Sequence, residues 1–249
     1  ANSNDFMTLY DGSGNWIDIG DYAHAIALDH NNDLHKVYLE CYYNTPQPPQ
    51  GNDPYEVTKA ALKLMKYNGS SWILTSVDTI YSQVALGGWY GPFKIEDFVI
   101  DASGNAYVSL MVNDFSLDFN FDFARIHVKK YDGVWSDLDS TGILKYHYGY
   151  FAVPPVLRWW EQFDLKTTLD IHPVTGNLLI AGQQGYHTGL GNFGNYMAYN
   201  VVGLSNNVIK EYNGLHWNIL GGTIPLGPCY HHPGGSFLAT NTNGDIVCA

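Results

Sequence analysis

The sequence predicts an all-β chain built from repeated four-stranded units, on three observations. First, a Tyr-x-Gly phrase followed closely by Trp occurs four times: Tyr10-Asp11-Gly12 with Trp16, Tyr67-Asn68-Gly69 with Trp72, Tyr131-Asp132-Gly133 with Trp135, and Tyr212-Asn213-Gly214 with Trp217. Second, a different hairpin signal, an apolar run breaking into an Asp/Asn/Gly turn and resuming as a strand, alternates with it. Third, aromatic residues make up 15 % of the chain and charged residues only 14 %, with Gly 26 as punctuation. Aromatic and β-branched runs between Gly, Asn and Asp turns favour strands, and self-similarity along a chain marks a repeat architecture.

In chain order, residues 5–20 hold the first Tyr-x-Gly hairpin. Ile26-Ala27-Leu28-Asp29 then leads through His30-Asn31-Asn32-Asp33 into Leu34 to Leu39. Leu62 to Lys66 and Ile73 to Val77 flank Tyr67-Asn68-Gly69-Ser70-Ser71-Trp72, where Asn-Gly predicts a tight hairpin with φ > 0 at both central residues. The two hairpins make one antiparallel unit over 24–77. The segment Glu56 to Lys66 is the best helical candidate, but it is short and runs into the hairpin. Phe98 to Asp101 and Ala106 to Met111 around Ala102-Ser103-Gly104-Asn105 open a second unit, 97–138. Leu169 to His172 and Leu178 to Ala181 around Pro173-Val174-Thr175-Gly176-Asn177 open a third, 167–220. Phe237 to Thr240 and Ile246 to Cys248 around Asn241-Thr242-Asn243-Gly244-Asp245 form a last first-type hairpin, 236–249.

The fourth unit is therefore split, with its first hairpin at 236–249 and its second at 5–20. A sheet assembled from both chain ends closes a ring and removes exposed edges, so the expected architecture is a single-domain, four-bladed β-propeller spanning 1–249. Five blades is the alternative, with one long insertion hiding a degenerate unit. The Tyr-Asn-Gly-x-x-Trp hairpin, combined with an Asp-x-x-Gly-Asn turn, resembles the repeats of secreted β-propellers of lectin-like and kelch-like type. The resemblance covers nearly the whole chain and speaks to architecture; propellers host unrelated activities.

Both hairpin turns are tight, so long segments fall only between hairpins, at 42–60, 78–96, 113–124, 139–166, 182–206 and 221–235. In a propeller these connections share one face, which becomes the expected functional face. Its ring-bearing residues include Tyr42, Tyr43, Trp89, Tyr90, Tyr148, Trp159, Trp160, Tyr186, His187 and Tyr196. Tyr and Trp interleaved with Gly and Asn suit sugar rings, and equally suit a protein interface. The bland alternative is that such loops pack rings into small cores of their own. The four turn-flanking tryptophans recur at equivalent positions and are expected to be structural.

Asp118-Phe119-Asn120-Phe121-Asp122-Phe123 alternates oxygen ligands and rings, as the start of a calcium loop does, so Asp118, Asn120 and Asp122 are candidate Ca2+ ligands. The sixth position is Phe123 rather than Gly, which also fits a plain amphipathic hairpin. His24, His147, His187, His231 and His232 map to the same face without metal-ligand spacing. Glu96, Asp97, Glu161, Asp164 and Asp170 are candidate carboxylates for glycoside hydrolysis, which needs two at a set separation. Asn68-Gly69-Ser70 matches a glycosylation sequon within a hairpin turn.

A formal charge of −12, from 24 acidic residues against 12 Lys and Arg, argues against nucleic acid and anionic membranes. No apolar run reaches the length of a spanning helix. The chain opens Ala1-Asn2-Ser3-Asn4, as a protein does after signal-peptide removal, and this predicts a secreted or cell-surface protein. Three cysteines allow one bridge, Cys229 with Cys248, or three free thiols. The expected function is non-enzymatic carbohydrate recognition through the insertion face. The alternatives are a structural subunit that self-associates through the same loops, and a carbohydrate-active enzyme.

Overall fold

The computed structural model describes residues 7–10, 12–20, 22–43, 57–81, 93–115, 121–138, 145–149, 167–187, 203–229 and 238–248. Among these residues every regular element is a strand. Strands β1 (Met7–Tyr10) and β2 (Trp16–Gly20) pair as a separate hairpin. Strands β3 (Ala25–Leu28), β4 (Leu34–Tyr43), β5 (Val57–Tyr67) and β6 (Trp72–Tyr81) form one antiparallel sheet in that order, so the helical candidate at Glu56 to Lys66 is strand β5. Unit two is β7 (Phe93–Ile100), β8 (Ala106–Phe115), β9 (Phe121–Tyr131) and β10 (Trp135–Asp137). A strand between units, β11 (Lys145–Gly149), is followed by unit three: β12 (Thr168–Ile171), β13 (Leu178–His187), β14 (Gly203–Tyr212) and β15 (Trp217–Cys229). Strands β16 (Leu238–Thr240) and β17 (Ile246–Cys248) end the chain as a second separate hairpin.

The repeat is visible in the chemistry of the turns. Asp29 Oδ1 accepts the amides of Asn31 and Asp33, Asp101 Oδ1 those of Ser103 and Asn105, and Asn241 Oδ1 those of Asn243 and Asp245. In the third copy, one residue longer, His172 Nδ1 takes the role by accepting from Val174 and Thr175. Each of these turns needs one left-handed residue, supplied by Gly104 (φ 84), Gly176 (φ 73) and Gly244 (φ 89), and in the first copy by Asn32 (φ 61). Asn tolerates that region better than other side-chain-bearing residues. In the second hairpin type, the Tyr and Trp rings lie 5.4, 5.3, 5.2 and 5.2 Å apart in the four copies, always tilted by about 50°. The Asn68-Gly69 turn departs from expectation. Tyr67 pairs with Trp72 across four loop residues, and of Asn68 and Gly69 only the glycine has φ > 0. Asn68 instead caps the loop through Oδ1, which accepts the amides of Ser70 and Ser71.

Alternation along the strands divides each unit into two faces. On β4 and β5, Val37, Leu39, Ala60, Leu62 and Leu64 face unit two, where they meet Phe93, Ile95, Phe98, Ala106, Val108 and Leu110. The opposite face of unit two, with Met111, Ile126 and Val128, packs on Leu169, Leu178, Ile180, Val208 and Trp217 of unit three. Burying side chains of this size stabilises by about 1.5–3 kcal/mol each relative to exposure, which makes the unit-to-unit interfaces the main source of cohesion. Two tryptophans add directed bonds. Trp72 Nε1 donates to Ile19 O on β2 (2.7 Å), and Trp135 Nε1 donates to Ser76 Oγ on β6 (3.0 Å). Each thus reaches the last strand of the unit before it. Inner strands are braced in the same direction: Asp97 Oδ2 accepts the Leu169 amide, and Asp170 Oδ2 accepts the Thr240 hydroxyl.

Several expectations need correction. Units two and three share one sheet. Strand β11 pairs antiparallel with β9 and parallel with β13, fusing them into a nine-stranded sheet. The described ends of the insertions at 113–124 and 182–206 are strand rather than loop, because β8–β9 and β13–β14 keep their ladders to Phe115↔Asp122 and His187↔Gly203. Among the described residues the two terminal hairpins stand as separate two-stranded sheets. Cys248 carries a free thiol, as does Cys41, so the Cys229–Cys248 bridge is absent: β17 belongs to its own hairpin and β15, which ends at Cys229, to the large sheet.

Candidate functional site

Ladder registers place both tight turns of a unit at one end of its sheet. His35 lies opposite Lys66, Ala106 opposite Tyr131, and Leu178 opposite Tyr212, each beside a turn. The connections between β4 and β5, β8 and β9, and β13 and β14 therefore leave from the other end. At that end β11 gathers expected site residues into adjoining register positions. Tyr148 lies opposite Asp122 on β9, and His147 lies opposite both Phe123 on β9 and Tyr186 on β13. His187, the last residue of β13, pairs with Gly203.

Trp89, Tyr90, Trp159, Trp160 and Tyr196 lie outside the described residues, as do Asp118, Asn120, His231, His232, Glu161 and Asp164. Asp122 is a strand residue whose register partners are Phe115 and Tyr148. No group of three or more His, Cys, Asp or Glu side chains among the described residues is arranged to hold a metal ion. His24 is tied into the fold: its Nδ1 accepts the Leu39 amide at 3.2 Å, and burial lowers its pKa.

The described carboxylates are occupied by structure. Asp97 accepts the Phe98 amide on one oxygen and the Leu169 amide on the other. Asp170 likewise accepts the Ile171 amide and the Thr240 hydroxyl. A carboxylate whose two oxygens each hold a fixed donor makes a poor proton shuttle, because protonation would break one of those bonds. Glu96 sits at the bulge between Ile95 and Asp97, with a buried side chain whose Oε1 lies 3.2 Å from Lys94 Nζ.

Unit one carries a polar face of which only Tyr42 was expected from sequence. Tyr38, Glu40 and Tyr42 point to the same side of β4 and lie opposite Lys63, Ala61 and Lys59 of β5, which in turn lie opposite Val77, Thr79 and Tyr81 of β6. Glu40 Oε2 pairs with Lys63 Nζ at 2.7 Å, which lowers the Glu40 pKa and raises that of Lys63. Lys59 Nζ stands 5.3 Å from the centre of the Tyr42 ring, and Lys63 Nζ stands 5.4 Å from that of Tyr38. Tyr42 is 45 % exposed. The sequence held one signal for this face: Lys36-x-Tyr38-x-Glu40-x-Tyr42 alternates on a strand where the second unit has Val108 and Leu110.

Fold and surface together define an all-β repeat protein with regular turns at one sheet end and elaborated connections at the other. No protein family, curated protein or solved structure matches the chain.

Proposed function

We propose that the protein is a non-enzymatic recognition protein, secreted or displayed on a cell surface, whose units form a four-bladed β-propeller and whose insertion end binds carbohydrate. One observation carries the binding site: β9, β11 and β13 bring the positions of Asp122, His147, Tyr148 and Tyr186 into adjoining ladders at the end away from the tight turns. Trp89, Tyr90, Trp159, Trp160, His187 and Tyr196 supply the further rings of this reading. Aromatic faces take the CH side of a pyranose, and neighbouring carboxylate and imidazole groups take its hydroxyls. Calcium bound by Asp118, Asn120 and Asp122 is a subsidiary part of the proposal.

Ring closure is supported by equivalence between units. The residue before each hairpin Tyr pairs with a fixed position of the preceding strand: Lys66 with His35, Lys130 with Tyr107, Glu211 with Leu179. The same offset sets Leu9 opposite Val247 and Thr8 opposite Cys248. Exposure at the first unit fits a missing neighbour. Phe98 and Leu169 are 2 % and 3 % exposed at the inner-strand position where Ile26 is 56 % exposed, and Trp16 is 69 % exposed whereas Trp217 is 8 % exposed. By the pattern of Trp72 and Trp135, Trp16 belongs against Leu220 and Gly221. Those two residues line an open groove of about 550 Å³ between unit three and the C-terminal hairpin.

A glycan array tests the binding site. Hits that vanish in Trp89→Ala or Trp159→Ala support it, and a blank array on folded protein overturns it. The same exposed residues, Trp16 and Ile26, favour a second reading, a self-associating structural subunit. Size-exclusion chromatography with light scattering separates the two, because the lectin reading requires a monodisperse species and the subunit reading a growing one.

A further inference from the structure

We infer that the face of β4, β5 and β6 carrying Tyr42 and Lys59 is a binding site for an acidic sugar, a pyranose bearing a carboxylate. The inference rests on the carbohydrate reading above and adds to it a second contact surface and a class of ligand.

The face is out of character for its place in the repeat. In unit two the equivalent positions include Val108 and Leu110, both fully buried against unit one, and in unit three they include Leu178 and Ile180, buried against unit two. In unit one they hold Lys36, Tyr38, Glu40 and Tyr42. Among the described residues, only the turn-side end of this face is covered. There Ile19 of β2 receives the Trp72 indole, and Lys36 lies buried with its ammonium 4.5 Å from the Trp72 ring. Further along, Glu40, Tyr42 and Lys59 are exposed.

The residues on the open part match one ligand chemistry. Tyr42 offers a ring for the apolar side of a pyranose. Ala61, nearly fully buried between Glu40 and Thr79, leaves the floor flat and without a long side chain. Glu40 and Thr79 offer an acceptor and a hydroxyl to sugar OH groups. Lys63 is engaged by Glu40 at 2.7 Å, whereas Lys59 makes no ion pair among the described residues and rests on the Tyr42 ring. A cation held over an aromatic ring, beside an acceptor that already has its own lysine, is complementary to an added negative charge. On a chain with net charge −12, an open face with two lysines, Lys59 and Lys63, against one glutamate is a local reversal of sign that favours an anionic partner.

The test uses isothermal titration of the full chain with oligogalacturonate and with the same oligosaccharide after carboxyl reduction, at low and high salt. Wild-type protein should bind the acidic form, with about fivefold preference over the reduced form, a preference that shrinks as salt screens the exposed pair. Lys59→Gln should erase the preference, and Tyr42→Ala should weaken both forms about five- to tenfold. Both side chains are exposed, and unchanged circular dichroism and melting temperature confirm folding. Trp159→Ala should leave this preference intact. Wild-type binding by both variants, with loss only in Trp159→Ala, overturns this inference and leaves the insertion-end reading standing. Equal affinity of wild-type protein for the acidic and reduced sugars overturns the assignment to an acidic ligand. Absence of binding to both sugars overturns this inference as well, while a glycan array with hits among neutral sugars would still support the insertion end.

Discussion

Replacing Trp72 with phenylalanine keeps an aromatic ring beside Tyr67 but removes the indole N–H that reaches Ile19 O at 2.7 Å. Ile19 is 7 % exposed, so its carbonyl loses a donor where water has little access. Leaving such a group unsatisfied costs about 1–3 kcal/mol. The buried Lys36 ammonium, 4.5 Å from the Trp72 ring, also exchanges indole for the weaker quadrupole of benzene, at about 0.5–1 kcal/mol. Together Trp72→Phe should destabilise by about 1.5–4 kcal/mol, or about 3–16 °C in melting temperature for a chain of this size. Urea unfolding followed by circular dichroism reads this as a lower midpoint at constant slope, with Leu215→Ser, at an exposed turn, as a near-silent control. A shift of less than about 0.5 kcal/mol would refute the idea that the indole bond holds neighbouring units together.

Asp97→Ala should cost about 2–3 kcal/mol, because the Leu169 amide loses its acceptor at the junction of units two and three; hydrogen exchange at Leu169 should rise, and unchanged exchange there would count against the brace. Gly104→Ala should cost about 1 kcal/mol or more in the same unfolding assay, since Gly104 has φ 84, while Asn32→Gly, at φ 61, should be near neutral or stabilising. For Asp29, burial pushes the pKa up, but the Asp33 and Asn31 amides and His35 outweigh it, and the net shift is downward. A depressed carboxylate contributes stability that is present above its unfolded pKa of about 4 and lost as pH falls through the folded value. Asp29→Asn should therefore flatten the acid limb of a stability–pH curve below about pH 4, and an unaltered limb would contradict the linkage. Burial raises the thiol pKa of both Cys41 and Cys248, so alkylation at neutral pH should be slower than for a free peptide thiol.

Turn chemistry made most of the fold legible. Asp29, Asp101 and Asn241 cap their own turns with side-chain oxygens, and the Tyr–Trp pairs are set by spans of three to five residues, so both signals are local and survive in sequence. What sequence could not show is non-local. Lys145 to Gly149 has no turn signature of its own, and its pairing with β9 and β13 depends on where two distant strands lie. The same holds for Trp72 and Trp135. Recurrence marked them as structural, but only three-dimensional placement shows that each bonds to the preceding unit. Of the expected site residues, Tyr148, Tyr186, His187 and Asp122 fall on strands, at the sheet end away from the tight turns. On the Tyr38–Tyr42 face only Tyr42 belongs to an insertion; the rest of its information lies in a strand that breaks the apolar pattern of its equivalents.

Ring closure is the claim on which the functional geometry depends, and one cysteine tests it. Thr8→Cys, made with Cys41→Ala and Cys229→Ala, places a thiol directly opposite Cys248 if β1 pairs with β17 in the register of the other three units. Directly opposed residues in an antiparallel pair have Cα separations within the range a disulfide spans. Mild oxidation followed by peptide mapping should then give a disulfide within one chain, between position 8 and Cys248, in a species that remains monomeric. Thiols that stay free, or a bridge that joins two chains, would contradict the closed four-unit ring.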